Sequence, residues 1–131
     1  MVRITRYQGS KIIKKLVEEG QFIEAYVHTQ LGVERILWDK IVGSFDGDKA
    51  RLVRKRIESR KTEKDRFNIG THQLITWAYF IGAITENEKG NLIDFNKKRN
   101  DLIHGHGQWW FSKTYIQALR KGISFLEKNG L

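Results

Sequence analysis

Not one proline interrupts the 131 residues of this chain, and that absence constrains its fold more than any other feature. Proline breaks helices by removing a donor and clashing with the preceding turn, so a chain rich in Leu, Ile, Lys, Arg and Glu that lacks it is punctuated by glycine alone. Between the glycines, apolar residues recur at helical spacing. Ser10 is the expected N-cap of a short helix with Ile12, Ile13, Leu16 and Val17 on its apolar side, ending at Gly20. A second helix starts near Gln21 and runs towards Gly43 through Tyr26, Val27, Leu31, Leu37, Trp38 and Ile41, with Gly32 tolerated inside it at roughly 1 kcal/mol relative to alanine. Phe45-Asp46-Gly47-Asp48 reads as a turn, and Asp48 as the cap of a helix from Lys49 to about Arg60. Its apolar residues Leu52, Val53 and Ile57 form only a thin stripe, which puts that helix at the surface.

The segment from about Thr71 to Ala83 is apolar nearly all round, which predicts a helix in the centre of the bundle. Thr85-x-x-Glu88 fits a capping box opening the next helix from about Glu86, although Gly90 weakens its first turns. A last helix, from about Ser112 to Lys128, carries the stripe Tyr115, Ile116, Leu119, Ile123 and Leu126, flanked by Phe125. The expected fold is therefore all-α: an up-and-down four-helix bundle with additional short helices, forming one domain over residues 1–131. No apolar run approaches the roughly 18 residues of a membrane span, and no signal-peptide core follows the basic N-terminus. Zero cysteines exclude disulfides and thiolate metal sites, in keeping with a cytoplasmic protein.

The net charge of +9 is unevenly placed. Between Lys49 and Arg66 stand nine basic residues against three acidic ones, which accounts for two-thirds of the excess. Such a segment is either a solvated surface or a source of sequence-independent phosphate contacts. Lys55, Arg56, Arg60 and Lys61 are the candidate RNA-binding residues within it.

The chemistry concentrates in Arg99-Asn100-Asp101-Leu102-Ile103-His104-Gly105. Leu92, Phe95, Leu102 and Ile103 share one face of the expected helix, and Arg99 sits inside that stripe, where an unpaired guanidinium would cost several kcal/mol. Two readings of Arg99 stand. In one it is a core-edge arginine paired with Glu34, which falls on the apolar side of the second helix; in the other it grips a phosphate bidentately, with Glu34 orienting it. Asn100 lies one turn before His104, and Gly105 offers a left-handed C-cap. A histidine at that helix end either satisfies the last carbonyls or serves as an acid or base, the dipole favouring its protonated ring. Asn100 and His104 join Arg99 as candidate catalytic residues.

An arginine followed by a polar residue and, after four intervening residues, a histidine resembles the motif of the HEPN domains, small all-α proteins. Gln21 to Tyr26 opening a long helix, the chain length and the helix after the motif extend the resemblance. It implies a metal-independent endoribonuclease acting as a homodimer, with no cofactor, plausibly a toxin of a toxin-antitoxin pair or a defence effector. It further implies a 2′,3′-cyclic phosphate product and, in many related systems, a nucleotidyltransferase-like antitoxin. Some relatives of this kind have lost catalysis and act as binding or scaffold modules. His104 lies five positions after Arg99, a divergence of about 140° and roughly 7.5 Å along a regular helix, so one site is expected to draw on two chains.

His104-Gly105-His106 lacks further ligands at metal spacing, so no metal site is expected. Trp109-Trp110-Phe111 suits either stacking on bases or packing of a loop. No phosphate loop of Walker or dinucleotide type and no serine triad can be read.

Overall fold

The structure, a computed structural model, describes residues 9–45, 47–49, 51–52, 55, 70–104 and 113–131. It is an all-α helical bundle. Helices α1 (Ser10–Glu18), α2 (Phe22–Gly43), α3 (Thr71–Phe80), α4 (Glu86–Ile103) and α5 (Lys113–Lys128) follow in chain order. Residues 47–49, 51–52 and 55 are also helical. The four longer helices close a ring in which each packs on the next, α5 returning to α2, while α1 covers the α2–α5 seam.

α1 ends where Gly20, at φ 76°, turns the chain: Gln21 N donates to Leu16 O at 2.8 Å and Gly20 N to Val17 O at 3.0 Å. At its other end the cap is Gly9 and not Ser10, which lies buried in the first turn and donates its N–H to Leu131 O at 2.8 Å. Together with the Lys14–Glu127 pair at 2.8 Å, that bond sets α1 antiparallel to α5. α4 is antiparallel to α5 as well, through Asp94–Lys121 at 3.1 Å and Glu88–Lys128 at 3.4 Å. Since α1 and α2 form a hairpin, α2 runs with α5 and against α4.

The pairs Gln30–Thr71 and Trp38–Trp77 advance together along α2 and α3. The chain thus leaves α2 at Gly43 and re-enters α3 beside Gln30, roughly 20 Å back along the axis. From there α3, α4 and α5 alternate in direction, so the expected up-and-down order holds only from α3 onward, α2 and α3 running parallel.

The core is built around Tyr26, Leu37, Leu74, Ile75, Leu92, Phe95, Leu119 and Leu126. Tyr26 stacks on Phe95 with ring centroids 5.3 Å apart. Burial above all, then the Asp94 carboxylate, raises the Tyr26 pKa, keeping the phenol a neutral donor to the Tyr115 carbonyl. α5 approaches this pair so closely that a Cβ at Gly122 would stand 2.8 Å from both Phe95 and Thr29.

Three further expectations are corrected. Val27 and Leu31 are exposed, and the buried stripe of α2 runs instead through Ala25, Tyr26, Thr29, Val33, Ile36 and Leu37. Val27 and Leu31 lie on the same side as Trp38, but α3, which covers Trp38, begins only level with Gln30. α3 is itself an outer helix rather than a central one: Leu74, Ile75 and Ala78 are buried, whereas Phe80 is 79% exposed. Asp48, read as a cap, lies within helical backbone and pairs with Arg51 at 3.1 Å. Leu52 is exposed, and Val53 and Ile57 lie outside the described residues.

Candidate functional site

The capping box that opens α4 forms as its sequence implies. Glu88 N donates to Thr85 Oγ1 at 3.1 Å, and Thr85 N donates to Glu88 Oε1 at 2.9 Å. Burial works to raise the Glu88 pKa, but the Thr85 hydrogen bonds and the Lys128 charge outweigh it, and the net shift is downward. From this start the helix continues through Leu92 and Phe95, both fully buried, to the motif.

There the packing changes. Leu102 is half-buried and Ile103 is exposed, so the apolar stripe opens towards solvent over the last turn. Arg99 is half-buried. Its Nη1 donates to Asn100 Oδ1 at 3.0 Å, while its Nε is enclosed and has no hydrogen-bond partner among the described residues. An enclosed unsatisfied donor costs about 1–3 kcal/mol. His104 is the C-cap of α4, with φ −89° and ψ 3°, and its N–H donates to Asn100 O at 2.9 Å. Its side chain is exposed. Asn100 thus links the two other motif residues, by its side chain to Arg99 and by its carbonyl to His104. Lys98 adds positive charge at the same end, its Nζ 5.4 Å over the Tyr115 ring. Gly105, His106, Trp109, Trp110 and Phe111 lie outside the described residues.

Glu34 is not brought to Arg99, and no carboxylate pairs with Arg99 among the described residues. The stacked Tyr26–Phe95 pair anchors α2 against antiparallel α4. Arg99 lies about 6 Å from that anchor towards the start of α2, and Glu34 about 12 Å the other way. The pairing failed because two helical stripes can be matched on one face without their register being known. Of the candidate RNA-binding residues, Lys55 is helical and exposed; Arg56, Arg60 and Lys61 lie outside the described residues.

Sequence reasoning passed over Asn96. It stands four residues after Leu92 and three before Arg99, on the covered side of α4, and is 6% exposed. The signal was available: a second polar residue in the apolar stripe next to the arginine.

Arg99 and His104 of one chain do not converge, because α4 stays regular between them and turns them about 140° apart. Among the described residues no group of three or more His, Asp or Glu gathers that could hold a metal ion, and no helix is long and apolar enough to cross a membrane. No protein-family model, curated protein or solved structure matches the chain.

Proposed function

We propose that this protein is a metal-independent endoribonuclease of the HEPN type, cleaving RNA by attack of the 2′-hydroxyl on the adjacent phosphate. The observation that carries the reading is the Arg99 guanidinium, tied to Asn100 on one edge and left with an enclosed, unpartnered Nε on another, one and a half turns before an exposed helix-end histidine. A half-buried cation that pairs with no carboxylate among the described residues is suited to an anionic ligand, and the planar fork holds a phosphate in two places at once. In this scheme Arg99 binds the scissile phosphate and stabilises the charge that builds in the transition state. Asn100 orients Arg99, and His104 moves the proton of the 2′-hydroxyl or of the leaving 5′-oxygen.

The 140° divergence within one chain asks for a second copy. Two α4 ends facing each other across a twofold axis would bring Arg99 of one chain towards His104 of the other, so the reading includes a homodimer. Lys55, Arg56, Arg60 and Lys61 hold the RNA backbone away from the reacting centre. The biological role in this reading is that of a cytoplasmic toxin or defence effector, restrained by a nucleotidyltransferase-like antitoxin. The same divergence favours one alternative, a non-catalytic module that binds RNA or a nucleotide through Arg99 alone.

Incubation of purified protein with mixed RNA in EDTA tests the reading directly. Cleavage that leaves 2′,3′-cyclic phosphate ends is expected from the wild-type protein. Binding without cleavage at any protein concentration would reject the enzyme in favour of the module.

A further inference from the structure

α1 is fastened to α5 near its start alone. Ser10 N donates to Leu131 O, and Lys14 Nζ meets Glu127 Oε2 at 2.8 Å. Beyond Lys14 no hydrogen bond or ion pair joins the two helices among the described residues. From that pair onward they leave between them an open groove of about 410 Å³, within the range of small-molecule sites.

One face of each helix lines it. α1 contributes Lys14, Val17 and Glu18 at i, i+3 and i+4, and α5 contributes residues from Ile116 to Glu127 at the same helical spacing. Leu119 and Ile123 are buried and lie deepest, with Val17 and Ile116 half-buried beside them. The floor is thus wholly aliphatic.

Four charges stand at the rim, and they differ. Lys14 and Glu127 neutralise each other at one end. Glu18 of α1 and Arg120 of α5, both exposed, have no ion-pair partner among the described residues. Measured from the Lys14–Glu127 pair on these antiparallel helices, Glu18 lies roughly 6 Å and Arg120 roughly 10 Å along the axis. A carboxylate and a guanidinium therefore stand within one helical turn of each other along the axis, on opposite rims of an apolar floor.

We propose that this groove binds an apolar α-amino acid. The ligand's side chain covers Val17, Leu119 and Ile123, its carboxylate meets the Arg120 fork, and its ammonium meets Glu18. Charge selects this class. A zwitterion on an apolar body leaves neither rim charge opposed, whereas a fatty acid would face Glu18 and a simple amine would face Arg120. The motif helix α4 contributes no residue to the groove, so the site is independent of the ribonuclease reading.

Leucine, N-acetyl-leucine and leucinamide, titrated against protein with labelled methyl groups, separate these contributions. Leucine should shift the Val17, Leu119 and Ile123 methyl resonances with a dissociation constant on the order of 1 mM, in keeping with a small ligand in an open groove. N-acetyl-leucine lacks the cation and leucinamide the anion. Each should bind more weakly by about tenfold or more, the worth of a charge-assisted hydrogen bond. Glu18→Gln should bind leucine and N-acetyl-leucine alike, and Arg120→Gln should bind leucine and leucinamide alike. Both side chains are exposed, so both variants should keep the wild-type unfolding midpoint. No methyl shift at about 10 mM leucine, or equal binding of the three compounds to the wild-type protein, would overturn the site. Discrimination that survives in either variant would do the same. A lower midpoint in both variants, with no leucine bound by the wild type, would show that Glu18 and Arg120 serve the fold instead.

Discussion

The two ends of α4 treat their polar groups in opposite ways. At the N-terminal end Thr85 and Glu88 satisfy each other's main-chain donors, and Lys128 reaches across from α5 to complete the group. At the C-terminal end Arg99 donates one nitrogen to Asn100 and leaves Nε enclosed, with no hydrogen-bond partner among the described residues. Both ends belong to one helix packed on the same neighbours, so a general looseness of the bundle does not explain the difference. Polar groups that serve the fold are closed among themselves; groups left open at a covered position cost stability and are suited to a ligand.

The comparison implies a crossed pattern of variants. His104→Ala should lower RNA cleavage by about 10²- to 10⁴-fold, the usual share of acid-base catalysis, while leaving the unfolding midpoint and most RNA affinity in place. Cleavage by the folded variant at the wild-type rate would remove His104 from the chemistry. Arg99→Met should cost about 10²-fold or more in rate together with some RNA affinity, and should leave stability unchanged or higher, because it deletes an enclosed unsatisfied donor. A marked drop in its urea midpoint would mean that Arg99 serves the fold after all, and the contrast between the two ends would collapse.

At the other end the pattern reverses. Thr85→Ala should cost about 1 kcal/mol in urea unfolding and leave the cleavage rate per folded molecule unchanged. The smallest effect concerns pH. The Glu88 carboxyl has its pKa lowered in the folded protein, so its contribution is fully present above the unfolded value and is lost as pH falls through the folded one. The stability gap between wild type and Glu88→Gln should therefore be widest near neutrality and shrink on acidification. A gap that stays constant with pH would show that the carboxylate charge adds nothing to the cap.

Features governed by near neighbours in the chain were readable from residues alone. The capping box, the glycine turn at Gly20, the extent of α2 from Gln21 to Gly43 and the histidine at the end of α4 each depend on residues within one or two turns. The candidate site was half legible for the same reason: Arg99, Asn100 and His104 are local to one another. Features set by a partner helix were not. Val27 and Leu31 have the spacing of a core stripe, yet nothing in their sequence shows that α3 begins too late to cover them. The apolar circumference of α3 suggested a central helix, but the ring leaves Phe80 outside.

By itself, then, the sequence determined the helical class and most helix boundaries and singled out the candidate site residues, because hydrogen-bonded turns and caps reach only three or four residues along the chain. The tertiary structure alone decided which residues meet. It stacked Tyr26 on Phe95, which leaves Glu34 and Arg99 on opposite sides of that stack, and set Gln30 of α2 against Thr71 at the start of α3. Helical periodicity specifies the face a residue occupies but leaves free the sliding of one helix along another, and that register comes from interlocked pairs such as Tyr26 on Phe95 and Thr29 against Gly122.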